Sequence, residues 1–171
     1  MKNQDILENQ VNIVYLALGS NLGNRLLNLE KAKFNLIKNG IKILNISNFY
    51  ATPSWPNKNF PYYINIVIKI ETKLDPYQLF NLVKQIEILL GRKINKKNHP
   101  RTCDIDIIDF NGKIINENKL KIPHKRLQQR NFVLIPLYEI CRNWIHPVTG
   151  KNIINLLNNL SYSNLQSIKL I

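Results

Sequence analysis

The chain has 171 residues, 44% of them hydrophobic, which suits one domain with a core large enough to need neither disulfides nor structural metal. No apolar run approaches the about 20 residues of a membrane span, and the polar, mixed-charge start is not signal-like, so a soluble cytosolic protein is expected, with Cys103 and Cys141 as reduced structural thiols. The 24 Lys+Arg against 11 Asp+Glu give a formal charge of +13, which leaves nucleic acid, a membrane surface, a polyanionic small substrate or plain compositional bias open as its cause.

Residues 1–11 read as an extension ahead of a single domain, 12–171. Ile13 to Gly19 is an apolar run ending in glycine, and Arg25 to Asn39 repeats Leu26, Leu29, Ala32, Leu36 and Ile37 at helical spacing. The intervening Gly19-Ser20-Asn21-Leu22-Gly23-Asn24-Arg25 lacks both the Gly-Lys-Ser/Thr end of a P-loop and the spacing of a dinucleotide fingerprint. It reads as a strand-to-helix turn with Asn24 as cap. Ile41 to Asn48 and Tyr63 to Thr72 alternate as strands, separated by a loop whose Pro53, Pro56 and Pro61 cannot join a ladder and which exposes Trp55 and Phe60. Asp75-Pro76 opens a second helix that runs to Gly91. A strand over 104–110 then turns at Asn111-Gly112 toward Lys113-Ile114-Ile115, and helices are expected near Phe132–Ile140 and Ile153–Leu160. The order βαββαβ predicts an α+β, ferredoxin-like sandwich: an antiparallel sheet with helices on one face, plus a hairpin and C-terminal helices.

The acidic strand carries the chemistry. Alternation puts Asp104 and Asp106 on one face with Ile108, and Ile105, Ile107 and Asp109 on the other. Two adjacent carboxylates repel and raise each other's pKa unless a cation compensates. Such a pair suits Mg²⁺, which takes one or two protein carboxylates and fills its octahedron with water and phosphate oxygens; the plainer alternative is a pair of solvated residues or partners of nearby lysines. Asp109, beside the turn, is assigned to the plainer reading. Residues 91–101 hold five formal positive charges and no acid, so a mobile surface loop is expected, and its Arg92 and Arg101 suit bidentate contacts to phosphate. Lys119, His124, Lys125, Arg126 and Arg130 form a second basic group around Pro123, where a lone histidine is more often structural than catalytic.

Over roughly residues 12–160 the sequence resembles the 6-hydroxymethyl-7,8-dihydropterin pyrophosphokinases. The resemblance rests on Tyr15-Leu16-Ala17-Leu18-Gly19-Ser20-Asn21-Leu22-Gly23, Phe49-Tyr50-Ala51-Thr52-Pro53, Tyr63-Ile64-Asn65, Glu87 with Gly91-Arg92, Pro100-Arg101-Thr102-Cys103-Asp104-Ile105-Asp106, and Pro123-His124 followed by Arg130-Asn131-Phe132. It implies a ferredoxin-like fold, ATP as co-substrate, and two Mg²⁺ ions held by Asp104 and Asp106. It implies a pterin pocket of Tyr63, Asn65 and Phe132 with backbone groups near Thr52, Pro53 and Trp55. Arg92, Arg101, His124 and Arg130 would contact the triphosphate, and Lys84, Glu87, Ile107 and Lys119 would hold the rest of ATP. Two positions depart from the family's pattern: His99 stands where a small residue is usual, and Ile94 where a second arginine is frequent, so Lys93, Lys96 or Lys97 would take over that charge.

The implied reaction is attack of the pterin hydroxymethyl oxygen on the β-phosphorus of ATP, with AMP leaving and no side chain essential as a general base. A monomer with no nucleic-acid or membrane partner is expected. A ferredoxin-like RNA-binding module would need aromatic residues on its sheet face, and a Mg²⁺-dependent nuclease would need a third carboxylate and a base. Neither pattern is present in this sequence.

Overall fold

The alternation of Tyr63–Thr72 buries Ile64, Ile66, Ile68 and Ile70 on one side of a strand and Val67 on the other, which makes this strand the centre of the sheet. The computed structural model describes residues 11–55, 57–92 and 99–171. In chain order the elements are β1 (Asn12–Ser20), α1 (Arg25–Lys38), β2 (Lys42–Ile46), β3 (Tyr50–Thr52), β4 (Tyr63–Thr72), α2 (Pro76–Leu89), β5 (Asp104–Phe110), β6 (Ile115–Asn116), β7 (Lys121–Ile122), α3 (Asn131–Ile140), α4 (Ile153–Asn158), α5 (Tyr162–Gln166) and β8 (Lys169–Leu170). The main sheet runs β5-β1-β4-β3-β8, with β2 also on β4, and every pairing is antiparallel. This is the ferredoxin-like arrangement.

Both long helices start where side chains cap them. Asn24 accepts the Leu27 amide at 3.1 Å, and Asp75 accepts the amides of Tyr77 and Gln78 while Gln78 reaches back to the Asp75 amide. Their apolar stripes, Leu29, Ala32 and Leu36 in α1 and Leu79, Val83 and Ile86 in α2, pack on Leu16, Leu18 and Ile66 of the sheet. The sheet is not covered on one face only, as the element order suggested. Val133, Leu134 and Leu137 of α3, with Ile153 and Leu156 of α4, build a second core against Tyr15, Val67 and Ile108 on the opposite face.

Three further expectations are corrected. The strand predicted over 41–48 breaks after Ile46 because the Ser47 hydroxyl accepts the Val67 amide at 2.9 Å in place of a ladder carbonyl, and pairing resumes as β3. Asn111 and Gly112 do turn the chain, both with positive φ, but 113–115 does not return along β5; Ile115 and Asn116 pair instead with Ile122 and Lys121. Asp109 is neither solvated nor on the face that alternation assigns. Tyr15 pairs with Asp109 and Leu16 with Ile107, so Ile108 is an extra residue, and this β-bulge turns Asp109 to the α3 side. There its carboxylate is buried and accepts the Trp144 indole at 2.7 Å and the Gly112 amide at 2.8 Å. Residues 1–10 of the expected extension and 93–98 of the expected mobile loop, including Lys93, Ile94, Lys96 and Lys97, lie outside the described residues.

Candidate active site

Directly paired residues in a sheet share a face. Asp104 in β5 pairs with Gly19 in β1, Gly19 with Asn65 in β4, and Asn65 with Tyr50 in β3. One step along, Asp106 pairs with Ala17 and Ala17 with Val67. The register therefore lays the two carboxylates and the carboxamide on the α3 side of the sheet, with glycine and alanine as the floor between them. A Cβ on Gly19 would stand 2.9 Å from Asn65 Oδ1 and 3.4 Å from the Tyr63 ring. Glycine is needed here for close approach rather than for its backbone freedom. Asn65 Nδ2 donates to Thr52 Oγ1 at 2.9 Å within the buried layer, which fixes the carboxamide's orientation. Burial pushes the Tyr63 phenol up, while the Arg101 guanidinium beside it pulls the other way.

Arginines neutralise both carboxylates. Arg92 Nη1 donates to Asp104 Oδ1 at 2.7 Å and Arg101 Nη1 to Asp104 Oδ2 at 3.3 Å, while Arg130 Nη1 donates to Asp106 Oδ2 at 2.8 Å. Desolvation would raise the Asp106 pKa, but Arg130, His124 and Lys84 outweigh it and hold the carboxyl below the ordinary range. Burial lowers the His124 pKa, and Arg130 and Arg126 add to this against the opposing pull of Asp106.

Glu87 serves from beneath the site. Its side chain is only 1% exposed and accepts the Ile105 amide at 2.6 Å, Lys84 Nζ at 2.9 Å, and an ion pair from Arg92. Burial pushes its carboxyl up and Asp104 adds to this, against Lys84. So placed, Glu87 fixes Lys84, Arg92 and the free edge of β5 rather than presenting an oxygen to a ligand.

Along that edge Phe80, Lys84, Ile107, Lys119 and His124 line, with Asp106, a cleft of about 210 Å³. Phe132 lies under Arg130, whose Cζ is 5.4 Å from its ring centroid. Thr52, at the end of β3, holds the Asn65 carboxamide and Pro53 follows it, while Trp55 is 67% exposed and stacks on Arg126 at 5.2 Å. Among the described residues no cluster of three or more His, Cys, Asp or Glu side chains gathers to form a metal cage. Two half-exposed hard-oxygen carboxylates beside arginines are instead a donor set for a cation that arrives on a phosphate ligand, which Mg²⁺ fits. The sequence marks Gly19 and Asn21 only as parts of a turn and of the family's motif, and does not mark Ser54, because their contacts depend on strand register and on loops meeting across the sheet's end.

The sequence profile of the 7,8-dihydro-6-hydroxymethylpterin-pyrophosphokinase (HPPK) family matches residues 15–142. The chain belongs to this pyrophosphokinase family. It is 38% identical to the 2-amino-4-hydroxy-6-hydroxymethyldihydropteridine pyrophosphokinase of Aquifex aeolicus, across 81% of this chain and 86% of that protein. It is 40% identical to the folic acid synthesis protein fol1 of Pneumocystis carinii over 90% of this chain, yet spans only 20% of that longer protein. The Plasmodium falciparum HPPK-DHPS structure with pteroate superposes with a TM-score of 0.74 at 20% identity, covering 96% of this chain and 46% of that one, a likeness of fold. The match includes both carboxylates, whereas α4, α5 and β8 follow the matched residues.

Proposed function

We propose that this chain transfers the pyrophosphoryl group of ATP to 6-hydroxymethyl-7,8-dihydropterin, releasing AMP, as a step of folate synthesis. The observation that carries the reading is the row Asp104–Gly19–Asn65, which sets a phosphate-and-cation end beside a flat, hydrogen-bonding end on one sheet face. Asn65, held by Thr52, offers donor and acceptor to an amide-like heterocycle edge, and Tyr63 and Phe132 offer aromatic surface for the ring. The cleft beside β5 takes the nucleotide, with Lys84, Lys119 and His124 around it.

Asp104 and Asp106 would hold Mg²⁺, two ions by the family resemblance, and bound Mg²⁺ supplies neutralisation of phosphate charge. Arg92, Arg101 and Arg130, freed from the carboxylates, turn their guanidinium forks to the triphosphate and orient the β-phosphorus toward the pterin hydroxyl. The bond from the hydroxymethyl oxygen to the β-phosphorus forms as the α,β-bridging bond breaks. AMP carries away the bridging oxygen, and the hydroxyl proton passes to solvent. Positioning and charge do most of the work, as in phosphoryl transfer generally. We place the reaction in the cytosol, in a monomer.

The test is an assay with ATP, Mg²⁺ and the pterin alcohol that resolves AMP from ADP. AMP should appear in step with pterin diphosphate, and Asp104→Ala should abolish both. Arg101→Ala should lower turnover by about a hundredfold or more, as for loss of a preorganised charge donor, with nucleotide affinity changed only modestly. ADP as product, or Asp104→Ala at full activity, would sink the proposal.

A further inference from the structure

The turn after β1 does more than start α1. Asn21 is 1% exposed and sits where three segments meet. Its Oδ1 accepts the Arg101 amide at 2.7 Å, and its own amide donates to the Arg101 carbonyl at 3.1 Å. This two-point clamp grips the backbone of a residue whose guanidinium faces Asp104. Its Nδ2 donates to the Ser54 hydroxyl at 3.0 Å, and Ser54 Oγ in turn donates to the Pro61 carbonyl at 2.6 Å, closing the proline-rich loop. Two residues before Ser54 is Thr52, the acceptor that fixes Asn65. Hydrogen bonds joined by the short backbone step from Ser54 to Thr52 thus link Arg101–Asn21–Ser54 to Thr52–Asn65, from the anionic end of the site to the carboxamide end.

We propose that Asn21 is a positioning residue that couples the two halves of the site: when nucleotide draws Arg101 toward phosphate, Asn21 transmits the shift to the 53–61 loop and tightens binding of the heterocycle. The inference rests on the pyrophosphokinase reading above. A carboxamide suits the task because it accepts and donates at once, so both segments are held by one rigid planar group. Coupling of this kind is reciprocal: the heterocycle must tighten nucleotide binding by the same factor. It is carried by a physically contiguous network, and a variant cycle can measure it.

The experiment is calorimetric titration of the full chain with 6-hydroxymethylpterin, alone and saturated with Mg²⁺ and α,β-methylene-ATP, for wild type, Asn21→Ala, Ser54→Ala and the double variant. Wild type should bind the pterin at least about fivefold more tightly with nucleotide present, the low end of ordinary coupling. Asn21→Ala should bring that ratio to within about twofold of unity, and kcat should fall with little change in the KM for ATP. Ser54→Ala removes only the loop end of the chain, so it tests the same link if Asn21→Ala does not fold. It should lose the coupling, and the double variant should lose no more. A wild-type ratio kept by folded Asn21→Ala, or by Ser54→Ala, overturns the role of Asn21 while leaving the function intact. Wild type that binds both ligands with no coupling overturns it equally, and wild type that binds no pterin overturns the functional reading beneath it.

Discussion

Gly19 shows how one missing side chain can shape a site. Its neighbour Asn65 is held in place by Thr52, and the Tyr63 ring lies close on the same side, so a methyl group finds no ready room. Overpacking of this kind costs about 1–3 kcal/mol. In Gly19→Ala the cost should fall mainly on the bound heterocycle, because Asn65 must tilt off the floor it rests on. Pterin affinity measured by calorimetry should drop about tenfold, the equivalent of about 1.4 kcal/mol, while affinity for the ATP analogue stays within about twofold. Equal loss of both affinities would mean that the strand itself had been displaced. Cys103 offers the contrast: burial pushes its thiol up to about 12, so it behaves as a small apolar residue beneath Asp104 and not as a nucleophile.

At the scale of elements, β5 has two functions along its length. Before the bulge its carboxylates Asp104 and Asp106 pair with the arginines of the candidate site; after it, Asp109 ties the strand to Trp144 in the segment between α3 and α4. Asp109→Ala leaves a buried indole N–H and the Gly112 amide without acceptors, so it should cost about 2–4 kcal/mol in urea unfolding. Asp109→Asn keeps one acceptor oxygen and should cost about half as much. Either variant, once folded, should turn over within about twofold of wild type, since the bulge insulates Asp104 and Asp106; a large loss of turnover would show that the strand acts as one unit. The strand, its pair Asp104 and Asp106, and the arginines were legible in the sequence because they follow from period-2 alternation and charge. Asp109 was not, because one unpaired residue reverses every face beyond it and leaves no mark on composition. Glu87 entered only through the family resemblance, as a residue expected to hold part of ATP; its position beneath the arginines depends on how α2 packs against β5. The side-chain pairing of Ser47 with Val67 and the late pairing of β8 with β3 are likewise tertiary events without a local signal.

For the whole molecule, the second core carries a pH-dependent element. His146 is buried against Trp144, with ring centroids 5.6 Å apart, and its Nδ1 accepts the amides of Val148 at 3.2 Å and Thr149 at 3.4 Å. Burial lowers its pKa, although a backbone hydrogen bond and Asp109 pull upward. The unfolded chain therefore binds this proton first. The contribution of His146 is complete above the unfolded value of about 6.5 and is lost as pH falls from there through the folded value. His146→Gln should destabilise the protein by about 1 kcal/mol at pH 7.5 and by clearly less at pH 5.5, read from paired urea titrations; a difference that grows on acidification would reverse the assignment. The two faces of the sheet, finally, answer to different tests over evolutionary time. The face under α1 and α2 is filled edge to edge, so a change there is judged by how many chains stay folded. The other face is roofed by α3 and α4 over Tyr15, Val67 and Ile108, and its remaining area around Gly19 is the surface proposed for ligands. Change there is judged by flux, and α2, which reaches the site through Lys84 and Glu87, answers to both tests.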